Sequence, residues 1–313
     1  MIEGKNLRVY FKSRDVLVKA LDGVNVSVKD KEIVGIVGES GSGKTTLGRT
    51  ILNLQRPESG EVLWNGKNVF KLKGKEEREF RRQNQIIYQN PYEAVDIRLK
   101  VYDIVAEGLR VHNIPKNREE ERKIVLNTLR DVGLTPEEEY AKSLPNQLSG
   151  GQLQRVAIAR ALVLNPSFMV ADEPVSMLDM SIRAGVLDIF KHLRDERGIS
   201  IMMITHDIST LGYVADRIYV MYQGKVIEHG STDSVLDKPL HPYTQALISA
   251  VPIPDPSGRT SLFSIKVKEE TEPYNGKGCK YYPRCPFAMA SCREKEPELS
   301  GVSSDHYVAC FLY

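Results

Sequence analysis

Residues Gly38-Glu-Ser-Gly-Ser-Gly-Lys-Thr-Thr46 carry two glycines, Gly38 and Gly43, separated by four residues and followed at once by Lys44 and Thr45. That is the spacing of a phosphate-cradling loop, or P-loop. Glycines at positions 38, 41 and 43 let the backbone wrap closely, so the amides of Gly38, Glu39, Ser40, Gly41, Ser42 and Gly43 can point inward at phosphate oxygens. Lys44 reaches the β- and γ-phosphates, the Thr45 hydroxyl suits Mg²⁺, and Thr46 continues into a helix whose N-terminus adds positive partial charge. The bland rival is a chance glycine turn. With glycine near 7% of ordinary sequence, such a match arises about once in a hundred chains of this length.

An acidic partner follows at Phe168-Met-Val-Ala-Asp-Glu173. An aspartate ending a buried strand beside a P-loop binds Mg²⁺ directly or through water, which assigns Asp172, and the adjacent Glu173 can polarise an attacking water. Taken alone, the pair reads as strand-end carboxylates facing solvent. His206 ends another apolar run, at the level expected for a γ-phosphate; a lone strand-end histidine is more often structural.

A second anion cradle lies at Leu148-Ser-Gly-Gly-Gln152, which leads straight into the helix-forming run from Leu153 to Leu162. Ser149 is a good cap residue, so the turn also reads as an ordinary helix start. Two phosphate-cradling helix starts in one chain meet the same nucleotide most simply in a head-to-tail dimer. Ser149, Gly150, Gly151 and Gln152 of one copy would then face the P-loop of the other.

The elements that position these residues are legible in outline. Residues 33–37 are apolar throughout, as a strand covered on both faces must be, and helix follows from Thr45 to about Leu54. Further buried strands are expected at residues 168–171 and 199–204, and an exposed, alternating strand at residues 5–11. Strands alternating with helices predict a parallel sheet with its ligand site at the carboxyl ends of the strands. Residues 91–165 read as a helical insertion, in which Asn117 caps a helix with Val125, Leu129 and Val132 on its apolar stripe and Gly133 at its end. Pro252 to Pro256 reads as a stiff extended connector.

Composition narrows the function classes. The 313 residues suit one large domain, or a large domain plus a small one. Forty-three Lys and Arg against forty-one Asp and Glu leave a net charge of +2, which disfavours a protein that works by coating nucleic acid. No apolar run approaches the roughly 18–20 residues that span a bilayer. No secretory signal opens the sequence, so a cytoplasmic chain is expected, reaching a membrane through a partner.

Together these motifs resemble an ATP-binding-cassette (ABC) ATPase subunit. Walker A at 38–46, Gln89, the signature at 148–152, Walker B at 168–173, Ser176-Met-Leu-Asp179 and His206 occur in that family's order. The resemblance implies an α/β P-loop NTPase fold, an ABC nucleotide-binding domain over 1–238 with its helical subdomain at about 91–165, and a C-terminal domain over 239–313. It implies that ATP with Mg²⁺ closes the dimer and that hydrolysis reopens it. It makes Glu173 the catalytic base and His206 the γ-phosphate switch. Gln89 would join Thr45 and Asp172 around Mg²⁺ and link to the membrane partner, and Asp179 would act across the dimer. Aligned with the family's first strand, Phe11 falls at the adenine-stacking aromatic, with Tyr10 a close competitor. Met177 stands where the family usually has Ala.

Tyr88-Gln-Asn-Pro-Tyr92, His241-Pro-Tyr-Thr-Gln-Ala-Leu247 and Val251-Pro-Ile-Pro-Asp-Pro256 resemble oligopeptide/dipeptide permease ATPases, and Leu54-Gln-Arg-Pro-Glu-Ser-Gly60 looks more like the F-type than the D-type subunit. The implied partners are a D-type ATPase subunit, two transmembrane permease subunits and an extracytoplasmic solute-binding protein, with no direct nucleic acid. The implied location is peripheral, at the cytoplasmic face of the membrane. Residues 94–99 depart from the usual text after Gln89, and relatives of this group also import oligosaccharides or nickel. A soluble ABC ATPase acting on nucleic acid or ribosomes is the alternative class; it would carry a long coiled coil or two cassettes, and this sequence has neither.

The only cysteines, Cys279, Cys285, Cys292 and Cys310, fall in the last 35 residues with C-x5-C-x6-C-x17-C spacing. Such crowding points first to a metal or cluster. In related permease ATPases the equivalent cysteines hold a 4Fe–4S cluster, and four thiolates with a proline after Cys285 suit one. Zinc is the chief rival, although zinc ribbons usually show short C-x2-C pairs. Disulfides are the third reading.

Overall fold

The computed structural model describes residues 1–13, 16–251, 274 and 276–313. The chain opens with β1 (Ile2–Ser13) and β2 (Val16–Val28), then β3 (Ile33–Val37) and α1 (Lys44–Ile51). Next come β4 (Ser59–Trp64), β5 (Lys67–Asn68), α2 (Lys75–Gln83) and β6 (Asn84–Ile87). A helical stretch follows: α3 (Pro91–Ala94), α4 (Val101–His112), α5 (Arg118–Asp131), α6 (Glu137–Lys142) and α7 (Gly150–Leu162). Strand and helix then alternate through β7 (Phe168–Asp172), α8 (Met180–Arg197), β8 (Ser200–Thr205), α9 (Ile208–Val214) and β9 (Arg217–Tyr222). The chain closes with β10 (Lys225–Ser231), α10 (Thr232–Asp237), α11 (Pro242–Ser249), α12 (Ala290–Glu294), β11 (Ser300–Ser303) and β12 (His306–Val308).

Two sheets organise these elements. The smaller runs β2-β1-β4-β5 and is antiparallel. The larger runs β11-β12-β10-β9-β3-β8-β7-β6. Its β9, β3, β8, β7 and β6 are parallel, as the alternation of strand and helix predicts. Every residue of β3, β7 and β8 is buried, so these strands read as unbroken apolar runs rather than as alternation.

β3 has a core on each face. Ile33 and Val37 join the core under the helices, with Val125, Leu129, Ile158 and Phe190. Val34 and Ile36 join the other core, with Leu7, Val9, Leu21, Leu47 and Val62 between the two sheets. The period-two pleat of a single strand therefore glues both layers. β1 keeps Leu7 and Val9 inside while Lys5, Arg8 and Phe11 stay exposed, the alternation its sequence shows.

Local signals act as their chemistry dictates. The Asn117 side chain accepts the Glu120 amide at 2.8 Å and starts α5, whose Glu119, Glu120 and Glu121 favour the positive helix end. Val125, Leu129 and Val132 are fully buried. α1 ends at Ile51 rather than near Leu54, because Asn53 takes left-handed backbone with φ 54°. The connector expected at Pro252–Pro256 lies outside the described residues. Among the described residues no helix is long and apolar enough to cross a membrane.

The last strands are not a separate layer: β12 pairs with β10 and carries β11 beyond it. Glu228 of β10, fully buried, fixes this junction. Its carboxylate accepts the amides of Leu240 and His241, each at 2.8 Å, and lies 2.7 Å from His306 Nε2. A buried carboxylate without such donors would cost several kcal/mol. His241 caps α11 by accepting the Tyr243 amide on Nδ1 at 3.0 Å. Burial of this ring, 1% exposed, pushes its pKa down to about 3.

A histidine neutral in the fold but protonated in the unfolded chain makes the unfolded state bind more protons below about pH 6.5, so stability falls as pH falls. One such proton gives a slope approaching about 1.4 kcal/mol per pH unit. We expect thermal midpoints to drop between pH 6.5 and 5. His241→Asn, which keeps a capping acceptor without the titration, should flatten that dependence. Equal slopes for the two proteins would remove His241 as a source of acid sensitivity.

Candidate functional site

β3 delivers the chain to Gly38, and the loop that follows is wedged between two backbones. A Cβ on Gly38 would lie 2.1 Å from the Met221 carbonyl oxygen at the end of β9. A Cβ on Gly43, where φ is 103°, would lie equally close to the Ala20 carbonyl oxygen of β2. The Ser42 carbonyl accepts the Gly224 amide at 2.9 Å, fastening the loop to the β9–β10 turn. Ser40 and Gly41 form its exposed tip, and Thr46 lies in the first turn of α1.

Lys44 curls back beneath this loop. Its Nζ donates to the Gly38 carbonyl at 2.7 Å and to the Glu39 carbonyl at 2.9 Å. Only 6% of the residue is exposed, and burial lowers the ammonium pKa against the opposing pull of Glu173, Asp172 and Glu39. One residue on, the Thr45 hydroxyl donates to Asp172 Oδ1 at 3.1 Å. Burial is the main cause raising the Asp172 carboxyl pKa, with the Thr45 hydrogen bond opposing it.

Glu173 leaves β7 in left-handed backbone, φ 47°, which a non-glycine residue seldom takes. Its amide donates to the Ile204 carbonyl at 2.8 Å. Its Oε2 accepts Gln89 Nε2 at 2.9 Å and lies 3.2 Å from His206 Nδ1. Gln89 follows β6, Glu173 follows β7 and His206 follows β8, and these strands are parallel neighbours. Parallel pairing therefore gathers, at one edge, side chains far apart in sequence.

The signature turn forms a separate group. Ser149 caps α7 reciprocally: its hydroxyl accepts the Gln152 amide at 3.3 Å, and Gln152 Oε1 accepts the Ser149 amide at 2.9 Å. The turn packs on the start of α8, for a Cβ on Gly151 would meet Ile182 at 2.5 Å and one on Gly150 would meet Leu178 at 3.8 Å. Asp179, at the N-cap of α8, is exposed and makes no side-chain cap bond. Among the described residues no hydrogen bond joins Ser149–Gln152 to the P-loop.

Of the two aromatics on β1, Tyr10 is committed: its hydroxyl donates to Asp22 at 3.1 Å. Phe11 is 42% exposed. In the tail, Cys279, Cys285, Cys292 and Cys310 line one small pocket. Burial pushes the thiol pKa of Cys279 up to about 12 and that of Cys285 up to about 11. The all-sulfur donor set and its convergence suit a thiolate-bound centre, yet among the described residues no three Cys, His, Asp or Glu side chains stand in metal-holding geometry.

The sequence gives no sign of two residues that touch the loop. The Tyr243 hydroxyl accepts the Glu39 amide, and Arg284 forms a two-point ion pair with the Glu39 carboxylate. They lie 204 and 245 positions from Glu39, and no local pattern marks such a contact.

Comparison with known proteins agrees with this geometry. Residues 21–176 match the family described as ABC transporter, and residues 227–292 match the oligopeptide/dipeptide transporter, C-terminal region. The oligopeptide transport ATP-binding protein AppF of Bacillus subtilis (strain 168) is 40% identical over 323 residues, covering 100% of this chain and 97% of AppF. The chain belongs to the ABC transporter family. It is an ABC-type ATPase, with the α/β P-loop cassette fold. OppF of Streptococcus mutans serotype c (strain ATCC 700610 / UA159), also an oligopeptide transport ATP-binding protein, is 46% identical over 257 residues, 82% of this chain and 83% of OppF. The ABC cassette MJ0796, solved as a dimer bound to ADP and Pi in a post-hydrolysis state, is 33% identical with a TM-score of 0.67 over 74% of this chain and 99% of that one. The cbiO1 structure from Clostridium perfringens, part of the ABC transporter complex cbiONQ, is 30% identical with the same TM-score of 0.67, covering 76% of this chain and 90% of that one.

The tight seat of this cassette's loop is testable. Gly43→Ala forces a side chain into left-handed backbone and against the Ala20 carbonyl, a strain of about 1–3 kcal/mol. We expect a lowered denaturation midpoint together with loss of ATP binding. A variant as stable as wild type would show that the loop is free to move away from β2.

Proposed function

We propose that this chain is the ATP-hydrolysing subunit of an importer that takes up oligopeptides or dipeptides. The grouping of Glu173 with Gln89 and His206, beside the Lys44–Thr45–Asp172 set, carries the reading. The peptide class is supported by the match to the oligopeptide/dipeptide transporter C-terminal region and by the relatives' names.

In this reading Lys44 and the amides of Gly38, Ser40, Gly41 and Gly43 hold the ATP phosphates, with Thr46 closing the cradle; the Glu39 and Ser42 amides, expected from the sequence to join them, are instead taken by the Tyr243 hydroxyl and the Glu39 carbonyl and shape the loop. Thr45, Asp172 and Gln89 attend Mg²⁺, which would neutralise charge on the phosphates. Glu173 accepts the proton of the attacking water, and His206 donates to the γ-phosphate. Phe11 stacks on adenine, since Tyr10 is already engaged with Asp22. Ser149, Gly150, Gly151 and Gln152 contact the nucleotide of the opposite subunit, and Asp179 acts across that interface. Such a subunit divides into a nucleotide-binding domain over 1–238, with a helical part at about 91–165, and a C-terminal domain over 239–313. It works beside a second, D-type ATPase subunit on two membrane permease subunits fed by an extracytoplasmic solute-binding protein. It sits peripherally at the cytoplasmic face of the membrane.

We further propose that Cys279, Cys285, Cys292 and Cys310 hold a 4Fe–4S cluster, with zinc as the alternative. Either would bind the four sulfurs as thiolates, offset part of their charge and cross-link a tail too small to fold on its own core.

Glu173→Gln should bind ATP, accumulate as an ATP-dependent dimer with its partner subunit, and hydrolyse at least about a hundredfold more slowly. Near-normal turnover would take the base role from Glu173. Peptide-stimulated hydrolysis after reconstitution with the permease subunits tests the solute class; stimulation by oligosaccharides alone would reassign it. Protein purified without oxygen should contain about four iron and four acid-labile sulfide per chain. Stoichiometric zinc would favour the alternative, and absence of iron, sulfide and zinc would remove both.

A further inference from the structure

One residue of the phosphate loop is held from outside the loop on two sides. Glu39 follows Gly38 directly, and its amide donates to the Tyr243 hydroxyl at 2.7 Å. Its carboxylate receives Arg284 in a fork, Nη1 to Oε2 at 2.8 Å and Nη2 to Oε1 at 2.9 Å. Its carbonyl is one of the two that accept the Lys44 ammonium, at 2.9 Å. The C-terminal segment thus grips the amide and the carboxylate of the residue whose carbonyl helps to place Lys44.

The grip stands on a firm base. Tyr281, 1% exposed, packs edge-on to Tyr222 at 5.3 Å and to Tyr243 at 5.5 Å between ring centres. The Tyr222 and Tyr243 rings are 4.7 Å apart. The Arg284 guanidinium lies 5.8 Å from the Tyr281 ring centre and 6.0 Å from that of Tyr222. Tyr222 ends β9, next to Met221, whose carbonyl backs Gly38. A planar guanidinium seated on aromatic faces is pre-oriented for a two-point bond. An ordinary exposed ion pair has no such seat and contributes little.

We propose that Arg284 and Tyr243 are positioning residues for the ATP reaction, clamping the Glu39 peptide so that the loop and Lys44 are ordered before nucleotide arrives. This inference rests on the phosphate-site reading above. A clamp on the free loop helps ground state and transition state alike. Its loss therefore weakens nucleotide binding and leaves the chemical step nearly untouched.

The test measures binding of a fluorescent ATP analogue with Mg²⁺, and the kcat and KM of ATP hydrolysis, in the full-length chain. Arg284→Gln should raise Kd and KM about tenfold with kcat within about twofold of wild type. Arg284→Lys keeps the charge but loses the fork, and should recover only part of the loss. Should Arg284→Gln fail to fold, Glu39→Gln breaks the same bond from the half-exposed loop side. The Glu39→Gln/Arg284→Gln double variant should bind no worse than the weaker single one, as expected for two ends of one interaction. A lowered thermal midpoint with unchanged Kd and KM, or fully additive losses in the double variant, would overturn the proposal. Lys44→Ala separates the two levels: if it binds the analogue as wild type does, the phosphate-site reading fails, whereas its loss beside a normal Arg284→Gln defeats the clamp alone.

Discussion

A lysine ammonium buried under a loop is expensive unless something replaces its water. Here the Gly38 and Glu39 carbonyls do so, at 2.7 and 2.9 Å. Much of the architecture follows from that requirement. For both carbonyls to turn inward the loop must be tight, and the backbone can turn so tightly at Gly38 and Gly43 only without side chains. The walls it turns against, Met221 and Ala20, belong to different sheets. The two layers must therefore be in register at this corner. β3 ensures it, because its two faces feed the two cores.

The adjacent carboxylates at the end of β7 occupy different environments. Asp172 is the last residue of the strand, is 6% exposed and holds its proton more firmly because of burial. Glu173 turns out of the strand into left-handed backbone, which frees its side chain to meet groups from the strands on both sides. That one conformational step separates a carboxylate aimed at Thr45 from one aimed at Gln89 and His206. A backbone cost of about 1–3 kcal/mol is tolerable where the amide is also tied to the Ile204 carbonyl.

The parts legible in the sequence are those whose physics is local. Gly38 to Thr46, Asn117 with its acidic first turn, and the unbroken apolar strands each carry their reason within ten residues or so. The carboxyl-edge site was also legible, because parallel pairing turns a list of strand ends into a place. What stayed hidden depends on contacts across the whole chain. Ser300–Ser303 is exposed at every residue and has no apolar pattern, yet it pairs with β12 at the sheet edge. Glu228 looks like a surface charge on a strand and is wholly buried because two amides and His306 converge on it. Arg284, next to a cysteine, gives no sign that its partner lies in the phosphate loop.

Those hidden contacts change the physical status of the tail. Lys280 reaches Asp22 of β2 at 3.1 Å and the Gln223 carbonyl at 2.8 Å, while Arg284, four residues on, reaches Glu39. The tail therefore holds both walls of the loop's seat as well as the loop. Both cations lie within the stretch from Cys279 to Cys285, each next to one of these cysteines, and the two thiols share a pocket with Cys292 and Cys310. Buried thiols with raised pKa gain nothing from each other as neutral groups, whereas a shared centre that takes them as thiolates would fix the spacing between Lys280 and Arg284. A segment too small to build its own core would then derive its rigidity from four sulfurs and pass it on, through two cations, to the loop around Lys44.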